Sequence, residues 1–158
     1  AGIGRDQFTR FALAPLLDDL AEVYGPLAED EGFAIHVEAP PDLEIVAHRE
    51  LLLRALSNLI DNALKYAEGG SVIRLAAAQN GTGLALAVVD DGPGIPDDRI
   101  EEAARRFVRL DPARGGTGAG LGLSLVQTIA HMHGGTMTIG RVDPHGTIVT
   151  LHLPIASV

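Results

Sequence analysis

The sequence predicts an α/β two-layer sandwich, in which helices cover one face of a mixed, mostly antiparallel sheet. Three observations predict this fold class. Apolar side chains recur at the helical period in three segments, they alternate with polar ones in the segments between, and Asn80-Gly81 is a hairpin-turn signal. The segments follow the order helix, strands, helix, strands, long loop, helix, strands, which indicates one layer of helices on one sheet.

Three helices are predicted from this periodicity. In the first, an apolar stripe runs from Leu16 through Leu27, and Pro15 lies near the first turn, where its missing N–H is tolerated. Glycine pairs, which are typical of helix C-termini, follow the other two. The predicted helices span residues 8–31, 49–67 and 121–133.

Six strands are predicted from alternation and from the turn formers that stop them. Pro40-Pro41 ends the first strand, and the segment DPHG at residues 143–146 separates the last two. The strands on either side of Asn80-Gly81 are expected to pair antiparallel. The predicted strands span residues 33–40, 43–47, 71–78, 84–89, 136–142 and 147–155.

Composition limits the classes of function. The 158 residues predict a single domain over 1–158, and the formal charge of -9 argues against binding a nucleic-acid backbone or an anionic membrane. Cysteine is absent, so disulfides and thiolate metal sites are excluded, which fits a reducing compartment. No apolar segment has the length of a membrane span and no signal peptide opens the chain. We expect a cytoplasmic protein, or the cytoplasmic part of a membrane-bound sensor.

A polar stripe interrupts the apolar helix at NLIDNALKYA, residues 58–67. Asn58, Asn62 and Lys65 follow the spacing i, i+4, i+7 and therefore point in one direction. Amide oxygens suit Mg²⁺, lysine suits a phosphate, and the ring of Tyr66 can lie against a flat base. Taken alone, the stripe is equally typical of a solvated helix face.

The segment DDGPGIP, residues 90–96, ends an apolar strand with a carboxylate. Asp90 can accept a hydrogen bond from an exocyclic amine such as that of adenine, while Gly92 and Gly94 leave space for a ligand near the backbone. An acidic turn is the alternative interpretation, because D-G-P-G is common turn chemistry.

Glycines at 115, 116, 118, 120 and 122 lead into the third helix. Free backbone N–H groups and the helix dipole favour phosphate at such a helix start. No G-K-[ST] follows, so this is not a Walker A loop, and a flexible linker is the alternative. The polar residues before it indicate a short helix and a mobile loop that acts as a lid, about residues 96–118.

Four ordered segments, NLIDNALKY, DDGPGIP, RFVRLDPAR and GAGLGLSLV, resemble the N box, the two glycine boxes and the phenylalanine box of sensor histidine kinases. The chain from about residue 8 to its end is similar to their catalytic ATP-binding domain, within the Bergerat-fold ATPases that include gyrase, Hsp90 and the MutL family. The resemblance implies the Bergerat fold, a mobile ATP lid, Mg·ATP as ligand and protein-histidine kinase activity.

The resemblance also implies roles for particular residues. Asn62 would ligate Mg²⁺, Asn58 and Lys65 would act at the phosphates, and Asp90 would bind the adenine amine. Arg109 or Arg114 on the lid would reach the γ-phosphate, so the implied catalytic residues are Asn58, Asn62, Lys65, Arg109 and Arg114. The implied nucleotide-binding residues are Asn58, Asn62, Lys65, Tyr66, Asp90, Gly92, Gly94, Ile95, Gly118, Gly120, Leu121 and Gly122.

The position of Asn58 favours phosphoryl transfer over hydrolysis. Hydrolytic relatives carry a glutamate there as the general base, and an amide cannot accept a proton at neutral pH. The implied nucleophile is a histidine on a separate dimerisation domain, with a response regulator downstream. A gyrase-type ATP hydrolase and a decayed scaffold domain are the alternatives.

None of the chain's own histidines is expected to be the phosphoacceptor, and all six are assigned structural or solvated roles. His131 and His133 lie near a helix C-terminus, where the dipole favours a cation. The acceptor domain is expected to lie outside this chain, which should be monomeric in isolation. The histidines are at positions 36, 48, 131, 133, 145 and 152.

Overall fold

The structure is a computed structural model that describes residues 5–94 and 119–154. A five-stranded mixed sheet carries three α-helices on one face, which confirms the predicted α/β two-layer sandwich. The expected lid at residues 96–118 lies outside these ranges. Within them, no helix is both long and apolar enough to cross a membrane. The helices are α1 (Leu13–Asp30), α2 (Arg49–Tyr66) and α3 (Ala119–Met132).

The strands form two sheets. They are β1 (Thr9–Ala12), β2 (Ala34–Glu38), β3 (Glu44–Ala47), β4 (Val72–Asn80), β5 (Gly83–Asp90), β6 (Thr136–Arg141) and β7 (Thr147–Pro154). The large sheet has the order β2-β4-β5-β7-β6, and β1 pairs with β3 in a separate sheet. Only the β2-β4 pair of the large sheet is parallel, because α2 lies in the connection between these strands.

The core lies between the helices and one face of the large sheet. Alternate residues of the central strands, such as Leu75, Leu86 and Leu151, are fully buried there. Residues of the opposite face, such as Arg74 and Ala78, are exposed. This alternation is typical of a sheet covered on one side, and it turns Asp90 and Thr147 toward the helices, in line with Val88 and Val149.

The prediction of a helix from residue 8 was wrong at its N-terminal end. Thr9–Ala12 form β1, paired antiparallel with β3, and α1 begins at Leu13. The backbone N–H of Leu13 donates to the carbonyl oxygen of Leu43 at 3.0 Å, which fixes this start. Pro15 then lies in the first turn, as predicted. Strand pairing with a distant segment overrides the local pattern here.

The helix predicted from the apolar stripe on α1 is confirmed, but the last apolar residue of the stripe is not buried. The buried positions are Leu13, Leu16, Leu17, Leu20 and Ala28, whereas Leu27 is 49% exposed. The last turn closes when the N–H of Phe33 donates to the Ala28 carbonyl oxygen at 2.8 Å. Because this closure buries Ala28 and Phe33 together, the neighbouring Leu27 points outward.

The residues of one turn and the start of one helix also differ from the predictions. The β4-β5 hairpin is confirmed, but Asn80 pairs with Gly83, so Gly81 and Thr82 are the turn residues. Gly81 has φ +65°, a conformation that favours glycine. Helix α3 begins at Ala119 rather than at residue 121, so Gly120 lies within the helix.

A buried histidine joins α3 to α2. The ring nitrogen Nε2 of His133 accepts the backbone N–H of His48 at 3.0 Å, and Nδ1 lies 2.8 Å from the Ile129 carbonyl oxygen. An accepting Nε2 carries no proton, so Nδ1 donates and the ring is neutral. The structural role expected for His133 is therefore confirmed, and its ring is neutral although the helix dipole alone would favour a cation. Phe8 stacks on this ring at a centroid distance of 4.9 Å.

Candidate functional site

Helix α2 carries the predicted polar stripe along the edge of its buried face. His48 caps the helix, because its Nδ1 accepts the N–H of Leu51 at 3.3 Å. Asn58 and Asn62 are half-buried, whereas Lys65 near the C-terminus is exposed. The stripe therefore runs from the interior of the protein to its surface.

Asn62 holds an unsatisfied polar atom. Its amide nitrogen Nδ2 is buried and has no hydrogen-bond partner among the described residues. A buried donor without a partner costs about 1–3 kcal/mol. Such a group in a native fold indicates a place where a ligand, an ion or water completes the site.

Asp90 presents the carboxylate at the end of β5. Its Oδ1 accepts the N–H of Gly92 at 2.9 Å, and the carboxylate also accepts the N–H of Thr147 on β7. Burial raises the pKa of Asp90, the two N–H groups offset part of that rise, and the charge of Asp91 adds to it. The carboxylate is therefore held in one orientation, on the helix side of the sheet.

Asp91 ties the Asp90–Gly94 loop to the start of β4. Its Oδ1 accepts the N–H groups of Ser71 and Val72 at 2.7 and 2.9 Å, and its Oδ2 accepts the Ser71 hydroxyl at 2.8 Å. Burial acts to raise the pKa of Asp91, but these hydrogen bonds outweigh it and hold the pKa below its usual value. The two neighbouring aspartates thus have opposite shifts and different partners.

Two glycines let this loop pack closely on its own chain. A Cβ on Gly92 would lie 2.6 Å from the Cα of Ala67, the residue that follows α2. Gly94 has φ +85°, and a Cβ there would lie 3.1 Å from the carbonyl oxygen of Gly146. Both glycines are therefore needed by protein packing, and their place beneath a base stays a prediction.

A cleft opens between α2, α3 and the sheet, and three of the predicted residues line it together. Asn62, Tyr66 and Asp90 meet there, with Tyr66 47% exposed at its side. The remaining walls are mostly apolar, which suits a flat heteroaromatic ring. They are formed by Leu59, Ala63, Val88, Leu123, Thr147 and Val149.

The remaining predicted residues are not brought into the cleft walls by the described structure. Asn58 lies one turn before Asn62 on α2, and Lys65 is exposed at its end. Gly120, Leu121 and Gly122 fall in the first turns of α3. Ile95, Arg109, Arg114 and Gly118 lie outside the described residues, so their roles stay predictions.

Sequence reasoning missed the residues that strand register brings to the cleft. Thr147 lies opposite Asp90 in the β5-β7 pairing, and Val149 lies opposite Val88. Leu123 reaches the cleft from α3. The DPHG turn placed Thr147 at a strand start, but no local pattern indicated which strand would be its partner.

The family model described as "Histidine kinase-, DNA gyrase B-, and HSP90-like ATPase" matches residues 47–157. The chain belongs to this family. The sensor-like histidine kinase SenX3 of Mycobacterium tuberculosis is 34% identical over 129 residues, which cover 80% of this chain and 32% of SenX3. Sensor protein IrlS of Burkholderia pseudomallei is 41% identical over 128 residues, which cover 80% of this chain and 27% of IrlS. The chain thus spans about a third or less of these relatives.

Solved structures of histidine kinases share the fold. The catalytic domain of histidine kinase ThkA matches with a TM-score of 0.81 and 25% identity, over 95% of this chain and 99% of that one. Full-length ShkA in complex with AMPPNP matches with a TM-score of 0.82 and 29% identity, over 100% of this chain and 33% of ShkA. The predicted resemblance to histidine kinase catalytic domains is confirmed.

Proposed function

We propose that this chain binds Mg·ATP and transfers its γ-phosphate to a histidine on a separate dimerisation domain, as part of a two-component sensor kinase. The observation that carries the proposal is the meeting of Asn62 and Asp90 in one largely apolar cleft. SenX3 is a sensor-like histidine kinase, IrlS is a sensor protein, and ShkA was solved with AMPPNP, an ATP analogue.

The sheet side of the cleft binds the base. Asp90 accepts the exocyclic amine of adenine, because its carboxylate is already aimed into the cleft by Gly92 and Thr147. Leu123 and Val149 enclose the ring, and Tyr66 lies against it. A base without this amine loses the hydrogen bond to Asp90.

The helix side holds the metal and the phosphates. Rotating the Asn62 amide by a half turn places its oxygen where the unpartnered nitrogen lies, so this residue fits Mg²⁺ as an oxygen ligand. When bound, Mg²⁺ neutralises phosphate charge. Asn58 and Lys65 act at the phosphates, with Arg109 or Arg114 from the lid at the γ-phosphate. Gly94, Ile95, Gly118, Gly120, Leu121 and Gly122 complete the nucleotide site.

The position of the hydrolytic base holds an amide in this chain. Asn58 stands where the hydrolytic relatives carry a glutamate, and its amide takes no proton at neutral pH. Phosphoryl transfer depends mainly on positioning and charge neutralisation, which the remaining groups supply. We therefore expect transfer to an external histidine, with a response regulator downstream and a cytoplasmic location.

The test is a calorimetric titration of Mg·ATP into the wild type and into Asp90→Asn. Binding by the wild type, with affinity reduced about 10- to 150-fold in the variant, supports the proposal, since a hydrogen bond to a charged group contributes about 1.5–3 kcal/mol. An acceptor domain from the longer protein is then added to look for phosphohistidine. Steady phosphate release by the chain alone favours a hydrolase, and failure of the wild type to bind ATP favours a scaffold.

A further inference from the structure

The turn between β6 and β7 packs against the Asp90–Gly94 loop. Thr147, the first residue of β7, pairs with Asp90, and Gly146 lies directly against the Asp90 carbonyl group. His145 precedes Gly146 in this turn. A histidine that was expected to have only a structural or solvated role therefore lies next to the loop that carries the proposed base-binding carboxylate.

His145 binds the backbone of that loop. Its Nδ1 lies 2.8 Å from the carbonyl oxygen of Asp91 and 3.1 Å from that of Gly92. Carbonyl oxygens only accept, so Nδ1 carries the proton and donates to both. The donor is present in the neutral Nδ1–H tautomer and also in the imidazolium.

One peptide group links this contact to the nucleotide site. The carbonyl of Asp91 and the N–H of Gly92 belong to the same planar peptide unit, so fixing the direction of one fixes the other. His145 holds the carbonyl end of this unit, while the N–H end donates to Asp90 Oδ1 at 2.9 Å. The imidazole thereby controls the donor that orients the carboxylate.

We propose that His145 is a positioning residue of the nucleotide site, which holds the Asp91–Gly92 peptide so that the Asp90 carboxylate discriminates adenine from bases without an exocyclic amine. The inference rests on the proposed function and deepens it. Its signature is a change in base preference rather than a general loss of binding, because His145 acts only through the group that reads the base.

The experiment compares ATP with inosine triphosphate, in which a carbonyl oxygen replaces the exocyclic amine. His145→Phe keeps a ring but removes the donor. His145→Asn places an amide nitrogen at the position of Nδ1, whereas His145→Gln carries it one methylene farther out. His131→Phe makes the same change on an exposed residue at the C-terminal end of α3, far from the loop. Calorimetry with Mg²⁺ gives both dissociation constants for each protein.

We expect His145→Phe to weaken ATP binding about threefold to tenfold, the effect of one hydrogen bond, and to leave inosine triphosphate binding within about twofold. His145→Asn restores the wild-type ratio of the two constants, whereas His145→Gln does not. His131→Phe leaves the ratio unchanged.

Equal weakening of both nucleotides in His145→Phe, or no advantage of Asn over Phe, overturns the inference. Both results leave the proposed function intact, because the wild type still binds ATP. A wild type that binds neither nucleotide ends the proposed function and this inference with it.

Discussion

The sheet side and the helix side of the cleft differ in how far the protein satisfies its own polar groups. On the sheet side, Asp90 accepts two backbone N–H groups and Asp91 accepts three hydrogen bonds. On the helix side, Asn62 buries an amide nitrogen without a partner, and Lys65 is exposed. The sheet side, proposed to bind the base, is preorganised, so little ordering is needed on binding. The helix side, proposed to bind the phosphates, keeps a polar group that only a ligand, an ion or water satisfies.

The largest expected difference between the two sides of the cleft is a pH dependence of ATP binding that arises from Asp90 on the sheet side. Burial raises its pKa above the usual 3.8, so protonation begins at a higher pH than for an exposed aspartate. Because we propose that the ionised carboxylate accepts the adenine amine, we expect ATP affinity to fall as the pH is lowered through this pKa, by at most about tenfold per pH unit and no further than the loss expected for Asp90→Asn. A titration series at decreasing pH measures the slope.

Asp90→Asn is the matched control for this slope, because ATP phosphates also take up protons. The difference between the wild type and the variant isolates the Asp90 contribution. Parallel curves of ATP affinity against pH for the two proteins would show that protonation of Asp90 does not affect binding of the adenine base.

The next largest effect is expected for Gly92→Ala, which tests the preorganised side. The new Cβ would lie 2.6 Å from the Cα of Ala67, so the Asp90–Gly94 loop must move, at about 1–3 kcal/mol of unfolding free energy. ATP affinity falls with it. Gly140→Ala on β6 is the control, since a Cβ there would meet only the Cγ2 of Ile148 at the ordinary contact distance of 3.5 Å, and it should stabilise by up to about 1 kcal/mol. Urea unfolding measures the unfolding free energy of both variants. Equal unfolding free energies for the two variants would refute tight packing at Gly92.

On the helix side, Asn62→Leu should raise the stability of the ligand-free protein, whereas Gly92→Ala lowers it on the sheet side. It removes the unsatisfied buried amide, so the ligand-free protein gains about 1 kcal/mol of stability while Mg²⁺-dependent ATP binding is lost. Arg54→Leu is the control on an exposed position of α2, with less than about 0.5 kcal/mol of change. Thermal unfolding with and without Mg·ATP measures both effects. Strong destabilisation of the ligand-free variant would mean that Asn62 serves the fold rather than the ligand.

The smallest effect is expected for Lys65→Met. Lys65 is exposed, so its attraction to phosphate is screened, and we expect ATP affinity to fall about two- to fivefold at low salt. The difference shrinks as salt is added. Lys65 is also the only lysine of the chain, so its amine can be labelled together with the N-terminus alone. If ATP does not slow the labelling of Lys65, this side chain does not contact the phosphates.

Local chemistry was sufficient to predict much of the fold. The period of α2 and its glycine stop, the hairpin of β4 and β5, and the alternating strands followed from propensities that act within a few residues. The ordered motifs also predicted the family, which the comparisons confirmed. The error at Thr9–Ala12 occurred where pairing with β3 outweighed the local pattern, and the exposure of Leu27 follows from the closure of α1 onto Phe33.

The sequence by itself determined which residues are available to the cleft, because Asn62, Tyr66 and Asp90 belong to local motifs with recognisable chemistry. Only the tertiary structure decided how they are held. Thr147 reaches Asp90 through strand register, and His145 reaches the Asp91 carbonyl across 54 positions of the chain. Such contacts depend on packing between elements distant in sequence, and neither composition nor spacing within one element carries that information.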